Sequence, residues 1–120
     1  MNTEAIVKNS PHYAALVKFI EGVNAKKVKY WSDMALTYNT PGKVMVHSVG
    51  KRFAKLATYE QRPHLTGPWV ASSVYCFFDL TTGDLLKGSW KAPVANGVRG
   101  NVNDANVLDK FTQYGPAYLR

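Results

Sequence analysis

The stretch Trp69-Val70-Ala71-Ser72-Ser73-Val74-Tyr75-Cys76-Phe77-Phe78-Asp79-Leu80-Thr81-Thr82-Gly83-Asp84-Leu85-Leu86-Lys87-Gly88-Ser89-Trp90 decides the fold. Val74, Cys76, Phe78 and Leu80 alternate with Tyr75, Phe77 and Asp79, the period of a strand over Trp69–Leu80. Gly83 in Thr81-Thr82-Gly83-Asp84 can take the positive φ of a tight turn, and Leu85–Trp90 returns as the partner strand. Both parities of the first strand are apolar, so the pattern does not say whether Phe77 or Phe78 faces the core.

Upstream, Lys43–Val49 and Arg52–Tyr59 read as two further strands, the second with Phe53, Ala57 and Tyr59 on one face. Pro63, Gly67 and Pro68 make 60–68 a loop. Nearer the N-terminus, Tyr13, Leu16, Val17, Ile20 and Val23 form one helical stripe. Ser10-Pro11 starts that helix and Gly22 with Asn24 stops it, so the expected helix spans 11–23. A short helix is expected over 3–9. Residues 26–40 fit a strand or an extended connection. Downstream, Lys91–Asp104 carries Pro93, Gly97, Gly100 and three asparagines and reads as a long loop. Asp104 then caps a short helix at 105–112, with Val107, Leu108 and Phe111 inward. The aromatic ending Tyr114–Leu119 is expected to dock on the body. The sum is a single α+β domain over 1–120. An N-terminal helix packs on a small antiparallel sheet with a central hairpin, followed by a long C-terminal loop and a short helix.

Composition narrows the function class. The chain is 46% hydrophobic and 19% charged, which is globular, and it has a net charge of +7. Lys26, Lys27, Lys29, Lys43, Lys51, Arg52 and Lys55 stand against Asp33 alone within 26–55. That excess is expected on adjacent strands and loops, where it attracts an anionic partner: nucleotide, nucleic acid or acidic protein. The lone Cys76 sits in a core pattern and excludes an internal disulfide framework. A polar N-terminus without an apolar leader core and the absence of a long apolar run point to the cytoplasm and away from membranes.

Catalytic signatures are missing. His12, His47 and His64 have no metal-ligand spacing, and no nucleophile elbow or Walker loop is present. No cofactor and no metal are expected. Asp79 and Asp84 flank the hairpin turn and are read as turn residues ahead of an acid–base pair. What remains is an aromatic and basic constellation: Tyr75, Phe77, Phe78, Lys87, Trp90, Lys91, Arg99 and Asn101. Rings and a guanidinium sandwich a planar base, cations clamp phosphate, and an amide can read an adenine edge.

The segments Ser73–Asp79, Thr82–Lys87, Ser89–Pro93, Arg99-Gly100-Asn101 and Tyr114–Leu119 together resemble a family of small phage proteins. Within that group the chain is similar to the phage anti-Thoeris sponge proteins, although its stretch from Pro93 to Arg99 is slightly longer than their pattern. The resemblance implies a non-enzymatic homo-oligomer in the bacterial host cytoplasm. It implies sequestration of a cyclic ADP-ribose-type or cyclic-oligonucleotide immune signal at sites where subunits meet. It also implies an adenine stacked on Phe77 or Phe78, with Arg99 on the other face. Two alternatives stay open: a single-stranded nucleic-acid binder using Tyr75, Phe77 and Trp90, and an inhibitor or adaptor docking on a host protein.

Overall fold

The computed structural model describes residues 3–33, 42–61, 66–88, 93–112 and 115–116. Two helices, α1 (Thr3–Lys8) and α2 (Tyr13–Asp33), precede strands β1 (Lys43–Val49), β2 (Phe53–Gln61), β3 (Trp69–Asp79), β4 (Asp84–Gly88) and β5 (Pro93–Asn101). A 3-10 turn (Val107–Lys110) and a short pair, β6 (Phe111–Thr112) and β7 (Gly115–Pro116), close the chain. Strands β1 to β5 form one antiparallel sheet in sequence order. The architecture is α+β, with an N-terminal helix on a multi-stranded antiparallel sheet and a short 3-10 turn near the C-terminus.

One face of the sheet is the core. Val7 of α1, Leu16, Phe19 and Val23 of α2, and Val107 of the 3-10 turn share a buried cluster with Val44, Ala54, Leu56, Cys76, Phe78 and Leu85. All three described helical segments therefore pack on the same side. A fully buried Phe or Leu here contributes roughly 2–3 kcal/mol relative to exposure. Phe111 joins the cluster edge-on to Phe19, at 4.9 Å between ring centroids.

Helix α2 runs through the expected stop and includes residues 26–33, which are not a strand. The buried positions Leu16, Phe19, Val23 and Lys27 fall at i, i+3, i+7 and i+11, so one helical stripe continues beyond residue 23. Gly22 serves close packing: a Cβ there would lie 2.5 Å from Leu108 Cδ1. Asn24 clamps helix to sheet, its Oδ1 accepting from Val44 N–H at 2.7 Å and its Nδ2 donating to Val44 O at 3.2 Å. The helix also starts later than expected, at Tyr13, while Ser10 Oγ accepts the His12 N–H and donates to Leu80 O.

Residues 93–101 are a strand, not a loop. Their Gly, Pro and Asn content disfavours β structure, but the ladder Asp84↔Asn101, Leu85↔Gly100 and Leu86↔Val98 supplies the backbone partners. The helix expected at 105–112 is a single 3-10 turn over Val107–Lys110, followed by a strand at Phe111–Thr112, and its N-cap is Asn106, not Asp104; the Asp104 carbonyl only closes a turn on the Val107 N–H at 3.3 Å. Of the ending expected to dock, Gly115 and Pro116 pair with Thr112 and Phe111, and its other residues lie outside the described set.

Replacing Asn24 with Ala strips the Val44 N–H and C=O of their side-chain partner at a buried residue. We expect a loss of about 1–3 kcal/mol in urea unfolding, with Asn24→Asp recovering only the acceptor half.

Candidate functional site

The register of β2 on β3 decides where the sequence-predicted residues go. Leu56 pairs with Cys76 and Ala57 with Val74, so Tyr75 is the extra residue of a bulge. Tyr75 consequently enters the helix-side cluster, 6.1 Å from the Phe111 ring, instead of sharing a face with Phe77 and Asp79. Burial pushes its phenol well above the ordinary value, and neighbouring Cys76 adds to that rise. Beyond the bulge the alternation is regular. Phe78 is 0% exposed in the core, and Phe77, 4% exposed, lies on the opposite face against Lys55. The parity that the sequence left open is thereby settled.

Lys87 is exposed on β4, while Trp90 and Lys91 lie outside the described residues. Arg99 is the extra residue of a second bulge, since Leu85 pairs with Gly100 and Leu86 with Val98. It is half-exposed, and its guanidinium makes only a long 3.5 Å bond to Val98 O among the described residues. Asn101 has a different occupation from the one expected. Its Nδ2 donates to Thr82 O at 2.9 Å and Asp84 Oδ1 at 3.0 Å, and its Oδ1 accepts from Asn103 N–H and Nδ2–H. Two donors and two acceptors are the whole capacity of an amide, so Asn101 here is a clasp, with nothing left to read a base.

That clasp belongs to a polar cluster around the β3–β4 turn. Asp79, 2% exposed, accepts Thr81 and Thr82 N–H through Oδ1 and Arg52 Nε–H through Oδ2 at 2.9 Å. Burial raises its carboxyl, but those two amides and the guanidinium outweigh burial and hold it below the usual carboxylate range. Gly83 supplies the turn's positive φ of 82° and sits under His12 and Asn103, where a Cβ would come 3.1 Å from each. His12 bridges Thr81 O and Asn103 Nδ2 with its two ring nitrogens. With Asn103 donating, Nδ1 is the acceptor and Nε2 carries the proton. The expected turn role of Asp79 is realised.

The basic segment is divided by structure. Lys26, Lys27 and Lys29 belong to α2 and not to strands. Lys26 Nζ donates to Leu108 O and, at 3.0 Å, to Phe111 O, which ties the helix to the end of the 3-10 turn. Lys27 is buried 5.8 Å from the Tyr75 ring centroid, and burial pushes its ammonium down against the opposing pull of Glu60. The remaining cations lie on or beside the sheet face away from the helices. Lys43 stands 4.2 Å over the Trp69 ring, Arg52 5.2 Å over Phe53, and Lys55 5.9 Å over Phe77. His47 and Tyr59 are ring neighbours on the same side. Sequence reading passed over Lys43, Lys55 and Trp69 as site residues. Their signal was the period-two spacing of Lys43, Met45 and His47 and of Phe53, Lys55, Ala57 and Tyr59, set opposite the buried Val44, Ala54 and Leu56.

Burial pushes the Cys76 thiol up, which keeps it protonated. No group of three or more His, Cys, Asp or Glu among the described residues could hold a metal ion. No described helix is long and apolar enough to cross a membrane. No protein-family model, curated protein or solved structure matches the chain.

Asp79→Ala should cost about 2 kcal/mol of unfolding free energy. The charge-dependent part, read as wild type against Asp79→Asn, is complete above the unfolded-chain value of about 4. It vanishes as pH falls through the lower native value; denaturant midpoints across an acid series check this.

Proposed function

We propose that this chain is a non-enzymatic binding protein that captures a small anionic nucleotide of the cyclic ADP-ribose or cyclic-oligonucleotide type on the helix-free face of its sheet. On this reading, holding the ligand away from its receptor is the function. The observation that carries it is the Lys43 ammonium set 4.2 Å over the half-buried Trp69 ring at one end of that face, with a second cation–ring pair, Arg52 and Phe53, at the other end; Phe77, under Lys55, is too buried to take a base. The Trp69 ring offers stacking to a base and the Lys43 ammonium offers charge to its phosphates, whereas the Arg52 guanidinium already gives its Nε–H to Asp79. The bulge at Arg99 places a half-exposed guanidinium without a carboxylate partner among the described residues on edge strand β5, at the other end of the sheet from Lys43 and Trp69, where a longer anionic ligand or a second molecule would meet it. The net charge of +7 supports attraction over distance. The resemblance of residues 73–120 to the phage sponge proteins supports the same class. It adds a homo-oligomer in the host cytoplasm as the working form.

A second reading, single-stranded nucleic acid, is favoured by one feature. Phe53 and Tyr59 are six residues apart on β2, about 20 Å at strand rise, a row longer than one nucleotide.

Calorimetry and native mass spectrometry against cyclic ADP-ribose isomers, cyclic di- and trinucleotides and oligonucleotides of rising length separate the two. Sequestration at the Lys43–Trp69 end of the sheet requires saturable cyclic-nucleotide binding that Lys43→Ala and Trp69→Ala each weaken by about tenfold, the scale of one charge-assisted or stacking contact. Affinity that grows with oligonucleotide length and falls steeply with salt supports the second reading. No bound species across the panel sinks both.

A further inference from the structure

A groove of about 490 Å³ separates the N-terminal half of α2 from the 102–108 loop, remote in sequence from β1 and β2 with their cation–ring pairs. Its volume falls in the range of small-ligand sites, roughly 300–1,000 Å³. Ala14, Ala15 and Ala105 leave the space open, and Phe19, Val107 and Leu108 supply an apolar lining. Ala14 and Lys18 are one helical turn apart, so they share a wall.

The polar groups of the lining are few and of opposite sign. Lys18 is exposed, and its ammonium has no hydrogen bond or ion pair among the described residues. The loop contributes Asn103 and Asp104. Asn103 is fixed through its amide nitrogen by His12 and Asn101, and its Oδ1 has no partner among the described residues. Asp104 spends Oδ2 on the Asn101 N–H at 3.2 Å, with Lys110 Nζ only loosely placed at 3.8 Å, while Oδ1 makes no hydrogen bond among the described residues. The loop is thus held in place before any ligand arrives, which lowers the ordering cost of binding. A lone anion would meet Asp104 and a lone cation would meet Lys18, but a zwitterion satisfies both.

We propose that this groove binds a free aromatic α-amino acid. The ligand's carboxylate pairs with Lys18, its ammonium with Asp104 and the Asn103 carbonyl oxygen, and its ring lies on the alanine and leucine lining. The site is independent of the nucleotide reading, since no residue of the sheet face takes part.

Titrating L-phenylalanine and L-tryptophan into the isotope-labelled full chain tests it by NMR. Saturable shifts are expected at the backbone amides of Ala14, Lys18, Asn103 and Asp104. N-acetyl-L-phenylalanine, lacking the ammonium, and L-phenylalaninamide, lacking the carboxylate, should each bind about tenfold more weakly. Ala14→Trp fills the groove from an exposed position and should abolish binding. Lys18→Gln changes a side chain with no partner to lose among the described residues and should weaken binding about tenfold. No saturable shift at millimolar ligand, equal affinity for the blocked derivatives, or wild-type affinity in the Lys18 variant would overturn the proposal.

Discussion

Asp79 ends the longest strand of the sheet, and its carboxylate holds the Thr81 and Thr82 amides on one oxygen and Arg52 on the other. This one group joins the start of β2 to the turn after β3. The turn so held becomes the surface on which other segments register. Ser10 donates to Leu80 O, His12 bonds Thr81 O, Asn101 bonds Thr82 O, and Val102 N–H bonds Gly83 O. The α1–α2 junction, the end of β5 and the loop before the 3-10 turn all converge there. A carboxylate buried to this extent is tolerated because its acceptor sites are filled, and the exposed Arg52 adds little beyond orientation.

The two proposed binding surfaces follow from how the sheet is dressed. Every described helical segment packs on one side, which leaves the basic and aromatic side chains of β1, β2 and β3 on the other. The groove arises because α2 and the 102–108 loop are fastened at separated points. Asn103 meets His12 at one end, and Leu108 packs over Gly22 at the other, with alanines between. Fastening at both ends keeps the space from collapsing, which small side chains alone would not do.

Two bulges show how local irregularity chooses between core and surface. At Tyr75 the extra residue turns a ring that strict alternation would place beside Phe77 toward Phe111 and the helices. At Arg99 the extra residue sits on an edge strand, beside a glycine that pairs with Leu85. In each case a one-residue shift changes the face of everything on one side of it.

The sequence alone determined the sheet-forming half and the α+β class, because the strand patterns over 43–49, 52–59 and 69–80 and a glycine at 83 are local properties that few backbones satisfy. The start of the α2 stripe was legible for the same reason. The continuation of α2 to Asp33, the strand at 93–101 and the sides taken by Tyr75 and Phe77 were decided only by tertiary structure. Lys27 counts as a stripe residue only once Tyr75 lies opposite it, and a glycine-rich strand persists only because β4 provides hydrogen-bond partners. The pairing of Lys43 with Trp69, and of Lys18 with the Asn103–Asp104 loop across a groove, joins residues distant in sequence. Such juxtapositions depend on register and packing, which no periodicity in the chain encodes.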